Sequence, residues 1–324
     1  LLDDDSGDYG IEIDPREADW STMGLLRELG FNRVSIGLQD LDPAVQRAVN
    51  RLQSLEETRA VIDAARTLQF RSINIDLIYG LPKQTPESFE RTLAQVNALR
   101  PDRIALYAYA HLPERFKPQR RIAAEDLPQG ADKLAMLSRS IAAFMDGGYV
   151  YVGMDHFALP EDALAVAKRQ GRLHRNFQGY STQPDCDLIA LGVSAIGKVG
   201  ASYSQNAKTL EEYYDAIDAG HLPEVRGLAV SRVVLVLRGF FSAFLCQGAV
   251  LFEPMEQAWL LGFREYFAPE LAALQDLQAK GLVQISDEGF QVTPMGWYFV
   301  RGVAMLFDRY LQADKNRARF SRII

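Results

Sequence analysis

SINIDLIYGLPKQTPESF, which runs from Ser72 to Phe89, is the stretch that decides the fold class. Its first half is rich in β-branched residues and ends at Gly80, which predicts a buried strand of a parallel sheet with apolar side chains on both faces. The second half predicts a tight turn and then a helix, because Thr85 is a good cap residue and Pro86 suits the first helical position. We therefore expect a βα unit.

Asp76 interrupts the apolar run of this strand. A buried carboxylate is costly unless a donor or a ligand pairs with it. Asp76 is also predicted near the carboxyl end of the strand, where α/β sheets and barrels place their ligand sites. Taken alone, Asp76 is more simply explained as a structural residue that holds the turn. Polar residues at similar places on other strands would favour a ligand contact instead.

The alternation of strand and helix recurs on both sides of this stretch. Further strands are predicted at residues 9–14, 32–38 and 103–110, with amphipathic helices between them. Four βα units in about a hundred residues predict an α/β fold with a parallel sheet, of barrel or doubly wound type. A fifth strand is predicted at residues 149–157, outside this pattern, and a glycine-interrupted strand at residues 187–196.

Polar residues recur where this fold places chemistry. Glu12, Gln39 and Asp76 all lie toward the carboxyl ends of predicted strands, and Arg51 follows the helix after Gln39. Because several independent elements deliver polar groups to one rim of the sheet, we expect a binding site there.

The composition changes after residue 227. From there the sequence predicts helices, two short strands at residues 282–285 and 290–293, and a final helix at residues 297–311. We expect two domains: residues 1–226 form the α/β domain, and residues 227–324 form a mostly helical, winged-helix-like domain. The apolar run at residues 233–246 contains Arg238 and is too short for a membrane span, so a buried core helix is expected.

The composition excludes several classes of protein. The chain has 324 residues, a formal net charge of −7 and a sequence pI of about 5.3, so no global field attracts nucleic acid or an anionic membrane. Its two cysteines, Cys186 and Cys246, form no short-spaced metal-ligand set, and no metal ligands are assigned. The first residues are acidic and do not form a secretory signal, so a cytoplasmic protein is expected.

Several motifs together resemble those of the oxygen-independent coproporphyrinogen III oxidases, also called coproporphyrinogen III dehydrogenases, which are radical SAM enzymes. The resemblance extends from about Tyr9 to the last residue. Its motifs are EIDPRE, RVSIGLQD, VNR, NIDLIYGLPKQTPESF, YAHLP, GMDHFA, LHRNFQGY and FSRII. The pair GMDHFA and LHRNFQGY is the most specific of these.

The resemblance implies an incomplete (β/α)6-type barrel that binds S-adenosylmethionine, with a 4Fe-4S cluster expected of the family. It implies oxidative decarboxylation of two propionate side chains of coproporphyrinogen III to vinyls by 5′-deoxyadenosyl radical chemistry, which gives protoporphyrinogen IX in haem biosynthesis. A monomer that binds this small molecule, without a nucleic-acid partner or a membrane span, is expected. The electron donor stays open.

The resemblance also implies which residues contact S-adenosylmethionine. Carboxylates can accept bonds from ribose hydroxyls or an ammonium group, and Arg51 can hold a carboxylate by two parallel bonds. No catalytic residue is assigned. With partners on other elements, a ligand contact becomes the favoured role of Asp76. The implied cofactor contacts are Glu12, Gln39, Arg51, Asp76, Ala110 and Ile196. Basic residues that are candidates for the substrate propionates are Arg115, Lys117, Arg120, Arg121 and Arg175.

One departure from the family pattern concerns the cluster. The family binds it through a CxxxCxxC loop, which this sequence does not contain, and two distant cysteines do not supply three converging thiolates. We expect the printed chain alone to be inactive and to be a piece of a longer enzyme. A degenerate relative that binds haem or S-adenosylmethionine is the alternative, and a regulatory module that uses the winged helix is a third class.

Overall fold

The structure is a computed structural model that describes residues 7–184 and 186–313. The described residues form two compact units, residues 7–169 and residues 170–313. The domain division at residue 226, which rests on composition and resemblance, stays a prediction.

The first unit alternates strands and helices in the order that the sequence predicts. Its strands are β1 (Gly10–Ile13), β2 (Arg33–Gln39), β3 (Ser72–Tyr79), β4 (Arg103–Ala108), β5 (Val150–Gly153) and β6 (His156–Ala158). Its α-helices are α1 (Trp20–Glu28), α2 (Pro43–Ala48), α3 (Leu55–Thr67), α4 (Pro86–Leu99), α5 (Gly130–Asp146) and α6 (Ala163–Arg169).

The strands form one six-stranded sheet in the order β1-β2-β3-β4-β6-β5. Strands β1 to β4 pair in parallel, and β6 pairs antiparallel with both β4 and β5. The predicted α/β class with a parallel sheet is confirmed, and β1 lies at an edge of this sheet. The predicted fifth strand is wrong in form, because Gly153 and Met154 take positive φ angles of 149° and 48° and fold it into the hairpin β5–β6.

The helix starts follow the cap residues in the sequence. Asp42 accepts the backbone N–H groups of Ala44 and Val45 at the start of α2. Thr85 caps α4, and Pro86 is the first residue of that helix. Cap side chains satisfy N–H groups that have no partner inside a helix, so they fix where each helix begins. The predicted start of α4 immediately after the GLPKQT loop is confirmed.

The two faces of the sheet differ in chemistry. One face carries apolar side chains that are at most 3 % exposed, and Phe144 of α5 contacts Phe157 of β6 there with ring centroids 5.0 Å apart. The other face carries Ser35, Asn74 and Asp76. The expectation of two apolar faces for β3 is therefore wrong, because its side chains alternate between a helix-covered core and a polar surface. The apolar face is formed by Val34, Ile36, Leu38, Ile73, Ile75, Leu77, Ile104, Leu106 and Phe157.

The second unit contains three small sheets and seven α-helices among its described residues. Its strands are β7 (His174–Arg175), β8 (Tyr180–Ser181), β9 (Ile196–Val199), β10 (Ser202–Asn206), β11 (Glu224–Ala229), β12 (Ala249–Leu251), β13 (Val283–Ile285) and β14 (Gly289–Val292). Its α-helices are α7 (Leu210–Asp218), α8 (Arg232–Gln247), α9 (Phe252–Trp259), α10 (Phe263–Tyr266), α11 (Ala268–Ala279), α12 (Val300–Met305) and α13 (Arg309–Ala313).

The core of the second unit confirms the prediction for the apolar run. Helix α8 is buried through Phe240, which is fully buried and lies 4.2 Å from Phe307 between ring centroids. In the part of the chain described, no helix has both the length and the apolarity that a membrane crossing requires. Strands β12, β14 and β13 form an antiparallel sheet beside these helices, which agrees with the predicted winged-helix-like region.

Two other predictions for this unit are wrong. The strand predicted at residues 187–196 is replaced by a loop with one isolated bridge at Leu188, since Gly192 and Ser194 take positive φ angles of 99° and 62°. The final helix predicted at residues 297–311 is divided into a 3-10 turn at Gly296–Phe299 followed by α12 and α13.

Candidate functional site

Asp76 lies on the polar face of the sheet and is held by two neighbours. Ser35 Oγ donates to Asp76 Oδ2 at 3.0 Å, and Asn74 Nδ2 donates to Asp76 Oδ1 at 2.8 Å. Asn74 Nδ2 also donates to Ser35 Oγ at 2.8 Å. The three side chains form a closed polar cluster, so the carboxylate has a fixed orientation.

Burial raises the pKa of Asp76, and the bonds from Ser35 and Asn74 lower it in part. The charge of Glu12 raises the pKa further. Glu12 pairs in register with Ser35, so both carboxylates are on the same face of the sheet. The negative charge of Glu12 on the same face as Asp76 favours a ligand that donates hydrogen bonds or carries positive charge.

Gly37 is the register partner of Asp76 on the neighbouring strand. A Cβ added to Gly37 would lie 3.0 Å from Gln39 Nε2 and 3.2 Å from Arg51 Nη2. Adjacent strands are about 4.8 Å apart, so Gln39 and Arg51 approach the strand position that lies directly beside Asp76. The absence of a side chain at Gly37 makes room for this approach.

Arg51 is fixed by two bonds and keeps a third donor free. Its Nη2 donates to the Gly37 carbonyl at 2.7 Å, and its Nη1 pairs with Asp14 Oδ2 at 2.9 Å. The pKa of Asp14 is lowered to about 2, mainly by the hydrogen bond from Arg16 and to a smaller extent by the charge of Arg51. Arg51 Nε is buried and has no hydrogen-bond partner among the described residues. A buried donor without a partner is costly, so it favours a ligand acceptor at this place.

Gln39 ends β2 in a left-handed conformation with φ 66°, and the register of β2 against β3 shifts between Gly37 and Gln39. A residue with a side chain rarely takes this conformation, and such positions cluster at functional sites. The bulge turns the Gln39 side chain back over Gly37.

Ala110 and Ile196 lie in different units. Ala110 follows the end of β4, and its carbonyl accepts a 3.0 Å bond from Gln119 Nε2. Ile196 begins β9 in the second unit, is 39 % exposed, and pairs in register with Gln205. The structure therefore brings together four of the six sequence-predicted contacts, which are Glu12, Gln39, Arg51 and Asp76.

Sequence reasoning missed the residues that hold these four. Ser35 and Asn74 orient Asp76, and Asp14 pairs with Arg51. Ser35 and Gly37, like Asn74 and Asp76, are two positions apart, and this alternation was the signal for a polar face. The contact between Asp14 and Arg51 spans 37 positions and has no such local signal.

The predicted substrate-binding cations are mostly exposed. Arg120 Nε donates to the Pro113 carbonyl at 2.9 Å, in a 3-10 turn that follows β4. Arg175 lies over the Tyr180 ring, 4.9 Å from its centroid. These contacts are all within the chain, so the binding of substrate propionates by these basic residues stays a prediction.

The fold and this site define a class of protein. A family model described as "Radical SAM superfamily" matches residues 5–96, and one described as "HemN C-terminal domain" matches residues 231–299. The first match covers β1 to β3 and the four converging side chains. The chain is thus a radical SAM protein.

The relatives identify the family within this class. The chain is 56% identical to an oxygen-independent coproporphyrinogen III oxidase of Pseudomonas aeruginosa, over 100% of this chain and 70% of the relative. It is 43% identical to one of Thermostichus vulcanus, over 98% of each chain. A solved coproporphyrinogen III oxidase from Escherichia coli, described as a radical SAM enzyme, superposes with a TM-score of 0.91 at 47% identity, over 95% of this chain and 71% of that one. The chain belongs to the oxygen-independent coproporphyrinogen III oxidase family.

The site fits one of the two groups that this family implies. S-adenosylmethionine carries ribose hydroxyls, an ammonium and a carboxylate, which match the paired carboxylates and the partnerless Arg51 Nε donor. The cluster does not fit the residues present. Within residues 7–184 and 186–313, no three His, Cys, Asp or Glu side chains are grouped to hold a metal, and the two cysteines are 60 positions apart.

Proposed function

We propose that this chain supplies the S-adenosylmethionine-binding wall and the substrate-binding part of an oxygen-independent coproporphyrinogen III oxidase, a cytoplasmic enzyme of haem biosynthesis. The observation that carries the proposal is the convergence of Gln39 and Arg51 over Gly37, the register partner of Asp76. S-adenosylmethionine supplies, in this family, the 5′-deoxyadenosyl group that abstracts hydrogen from a propionate side chain.

The chain's own residues bind and orient this cofactor. Asp76 and Glu12 accept hydrogen bonds from hydroxyl or ammonium groups, and the cluster with Ser35 and Asn74 holds Asp76 in one orientation. Arg51 donates to an anionic or carbonyl oxygen through Nε, since its two other nitrogens are bonded to Gly37 and Asp14. The roles of Ala110 and Ile196 as cofactor contacts remain part of this proposal.

Coproporphyrinogen III is the proposed substrate, because the relatives are named for it. Its propionates are anionic, and the exposed basic segment at residues 115–121 follows β4, which is a parallel neighbour of β3. Conversion of two propionates to vinyls gives protoporphyrinogen IX. A monomer is proposed.

The first experiment measures S-adenosylmethionine binding to the 324-residue chain by equilibrium dialysis. We expect saturable binding, and we expect Arg51→Lys to weaken it about tenfold, because a lysine ammonium cannot make the bonds of the planar guanidinium group. Arg66→Lys is the matched control. Arg66 donates to the Leu99 and Arg100 carbonyls just before β4 begins, at the amino-terminal ends of the strands and away from the site. The proposal would be contradicted if the wild-type chain showed no saturable binding, or if Arg51→Lys and Arg66→Lys lowered the affinity for S-adenosylmethionine equally.

A second candidate is a relative that binds S-adenosylmethionine but has no redox chemistry, which the two widely spaced cysteines favour. The coding sequence upstream of residue 1 separates the two candidates. An in-frame CxxxCxxC motif there would support the enzyme, because it would supply the three converging thiolates that the cluster needs, and a start codon near residue 1 without such cysteines would support the second candidate.

A further inference from the structure

Three segments at the carboxyl rim of the sheet contact one another through buried polar side chains. The first segment follows β2 and includes Gln39, the second follows α2 and includes Arg51, and the third follows β3. Three side chains connect them, and each is at most 7 % exposed. We call these three the rim brace: Asp40, Gln46 and Gln84.

Gln84 fixes the loop after β3. Its Oε1 accepts the backbone N–H groups of Gly80 at 2.6 Å and Leu81 at 3.1 Å. Its Nε2 donates to the Ile78 carbonyl at 3.0 Å and to Asp40 Oδ2. One amide thus closes the turn that follows the strand of Asp76 and ties it to the segment after β2.

Asp40 is the centre of the brace. Besides Gln84, its carboxylate accepts Thr92 Oγ1 at 2.9 Å and the backbone N–H of Asp42 at 2.6 Å. Its backbone carbonyl accepts Gln46 Nε2 at 2.9 Å. Since Asp40 directly follows Gln39, these bonds restrain the backbone at the strand end where φ of Gln39 is 66°.

Gln46 extends the brace to the segment that carries Arg51. Its Nε2 donates to the Gln53 carbonyl at 2.8 Å, and its Oε1 accepts the Gln53 backbone N–H at 3.1 Å. The backbone N–H of Arg51 itself donates to the Gln46 carbonyl at 2.9 Å. The loop between Gln46 and Gln53 is therefore closed on both sides of Arg51.

Each braced segment contains backbone in the left-handed region. Gln39, Asn50 and Lys83 have φ angles of 66°, 55° and 64°. Such residues persist only where the surrounding structure holds them. A brace made of buried polar groups is also costlier to assemble than apolar packing, which points to a demand for exact placement at this rim.

We propose that the rim brace positions Gln39 and Arg51 for the ligand, so that Gln84, which is on a different loop, controls the affinity of the site through Asp40 and Gln46. This inference rests on the proposed function. Gln84 is a positioning residue in this scheme, because its polar atoms are already bonded to Gly80, Leu81, Ile78 and Asp40.

The test compares wild type with Gln84→Met, which keeps the volume and removes the bonds. We expect S-adenosylmethionine affinity to fall about fivefold to tenfold, because Gln39 and Arg51 would no longer be held in one position before the ligand binds. We also expect faster amide exchange in the peptide that spans residues 46–53, to which Gln84 makes no hydrogen bond. Coupling is measured by a double-mutant cycle with Arg51→Lys, in which Gln84→Met should cost less when Arg51 is already replaced.

Tyr149→Phe is the matched control. The Tyr149 hydroxyl is buried and donates to the Pro101 carbonyl at 2.7 Å. Pro101 lies just before β4 begins, at the amino-terminal ends of the strands and away from the rim brace. Tyr149→Phe should lower the thermal midpoint without changing exchange at residues 46–53 or affinity. Gln46→Met provides a second variant if Gln84→Met does not fold, and the same loss of affinity is expected.

The outcomes separate the two proposals. A wild-type chain that binds no S-adenosylmethionine overturns the proposed function and with it this inference. A wild-type chain that binds, with unchanged affinity in folded Gln84→Met or Gln46→Met, overturns this inference alone. Additive losses in the double-mutant cycle also overturn it.

Discussion

Gly37→Val is expected to lower the affinity for S-adenosylmethionine about a hundredfold. The added Cβ would lie 3.0 Å from Gln39 Nε2 and 3.2 Å from Arg51 Nη2, so both side chains must move. Arg51 would lose its bond to the Gly37 carbonyl, and its guanidinium would leave the segment of sheet beside Asp76. The loss of two ligand contacts, each worth about 1.5 kcal/mol, gives this magnitude.

Gly10→Val is the matched control for this substitution. Gly10 lies in β1 of the same sheet, and the nearest heavy atom to an added Cβ is Arg33 Cβ at 3.9 Å. Valine favours strands, so this control should keep or raise stability and leave affinity unchanged. Affinity is measured by equilibrium dialysis, with circular dichroism to confirm folding. A Gly37→Val chain that is folded and binds like wild type would show that Gln39 and Arg51 do not contact the ligand.

Local sequence signals predicted most of the first unit. Helix α4 begins at Pro86 after the Thr85 cap, and the strand of Asp76 is bounded as the β-branched run indicates. These features depend on neighbouring residues, so one sequence contains the information for them. The same run led to the wrong prediction that both faces of β3 are apolar. Isoleucines at positions 73, 75 and 78 occur on both faces, so the alternation of polar and apolar residues in β3 is not evident from the sequence.

The geometry of the site could be predicted only in part. The rim location of Glu12, Gln39 and Asp76 follows from the order of strands and helices. The approach of Arg51 to Gly37 does not, since it depends on the loop closed by Gln46 and on a bulge at the end of β2. Backbone with positive φ at residues with side chains has no strong sequence signal, and the same cause divided the predicted strand at residues 149–157.

The chemistry of Asp76 leads to a prediction in which stability and binding change in opposite directions. Burial raises the pKa of Asp76, so the folded chain holds the charged carboxylate less favourably than the unfolded chain does. This destabilisation is absent below the unfolded pKa of about 3.9 and grows as the pH rises toward the folded pKa. Asp76→Asn removes the charge and keeps the size, so the variant should melt at a higher temperature than wild type at neutral pH.

Affinity should change the other way. The Asp76 carboxylate accepts hydrogen bonds that an asparagine amide cannot all replace, and bonds to charged groups contribute about 1.5–3 kcal/mol, so S-adenosylmethionine should bind Asp76→Asn about thirtyfold more weakly. Asp102→Asn is the control, because the Asp102 carboxylate accepts a hydrogen bond from the Ile73 N–H at the start of β3, the end of the strand away from the site. Melting curves between about pH 4 and pH 8 and dialysis at neutral pH check both parts. If Asp76→Asn melted lower than wild type and bound equally well, Asp76 would be a structural carboxylate, since a ligand contact kept at the expense of stability predicts the reverse of both results.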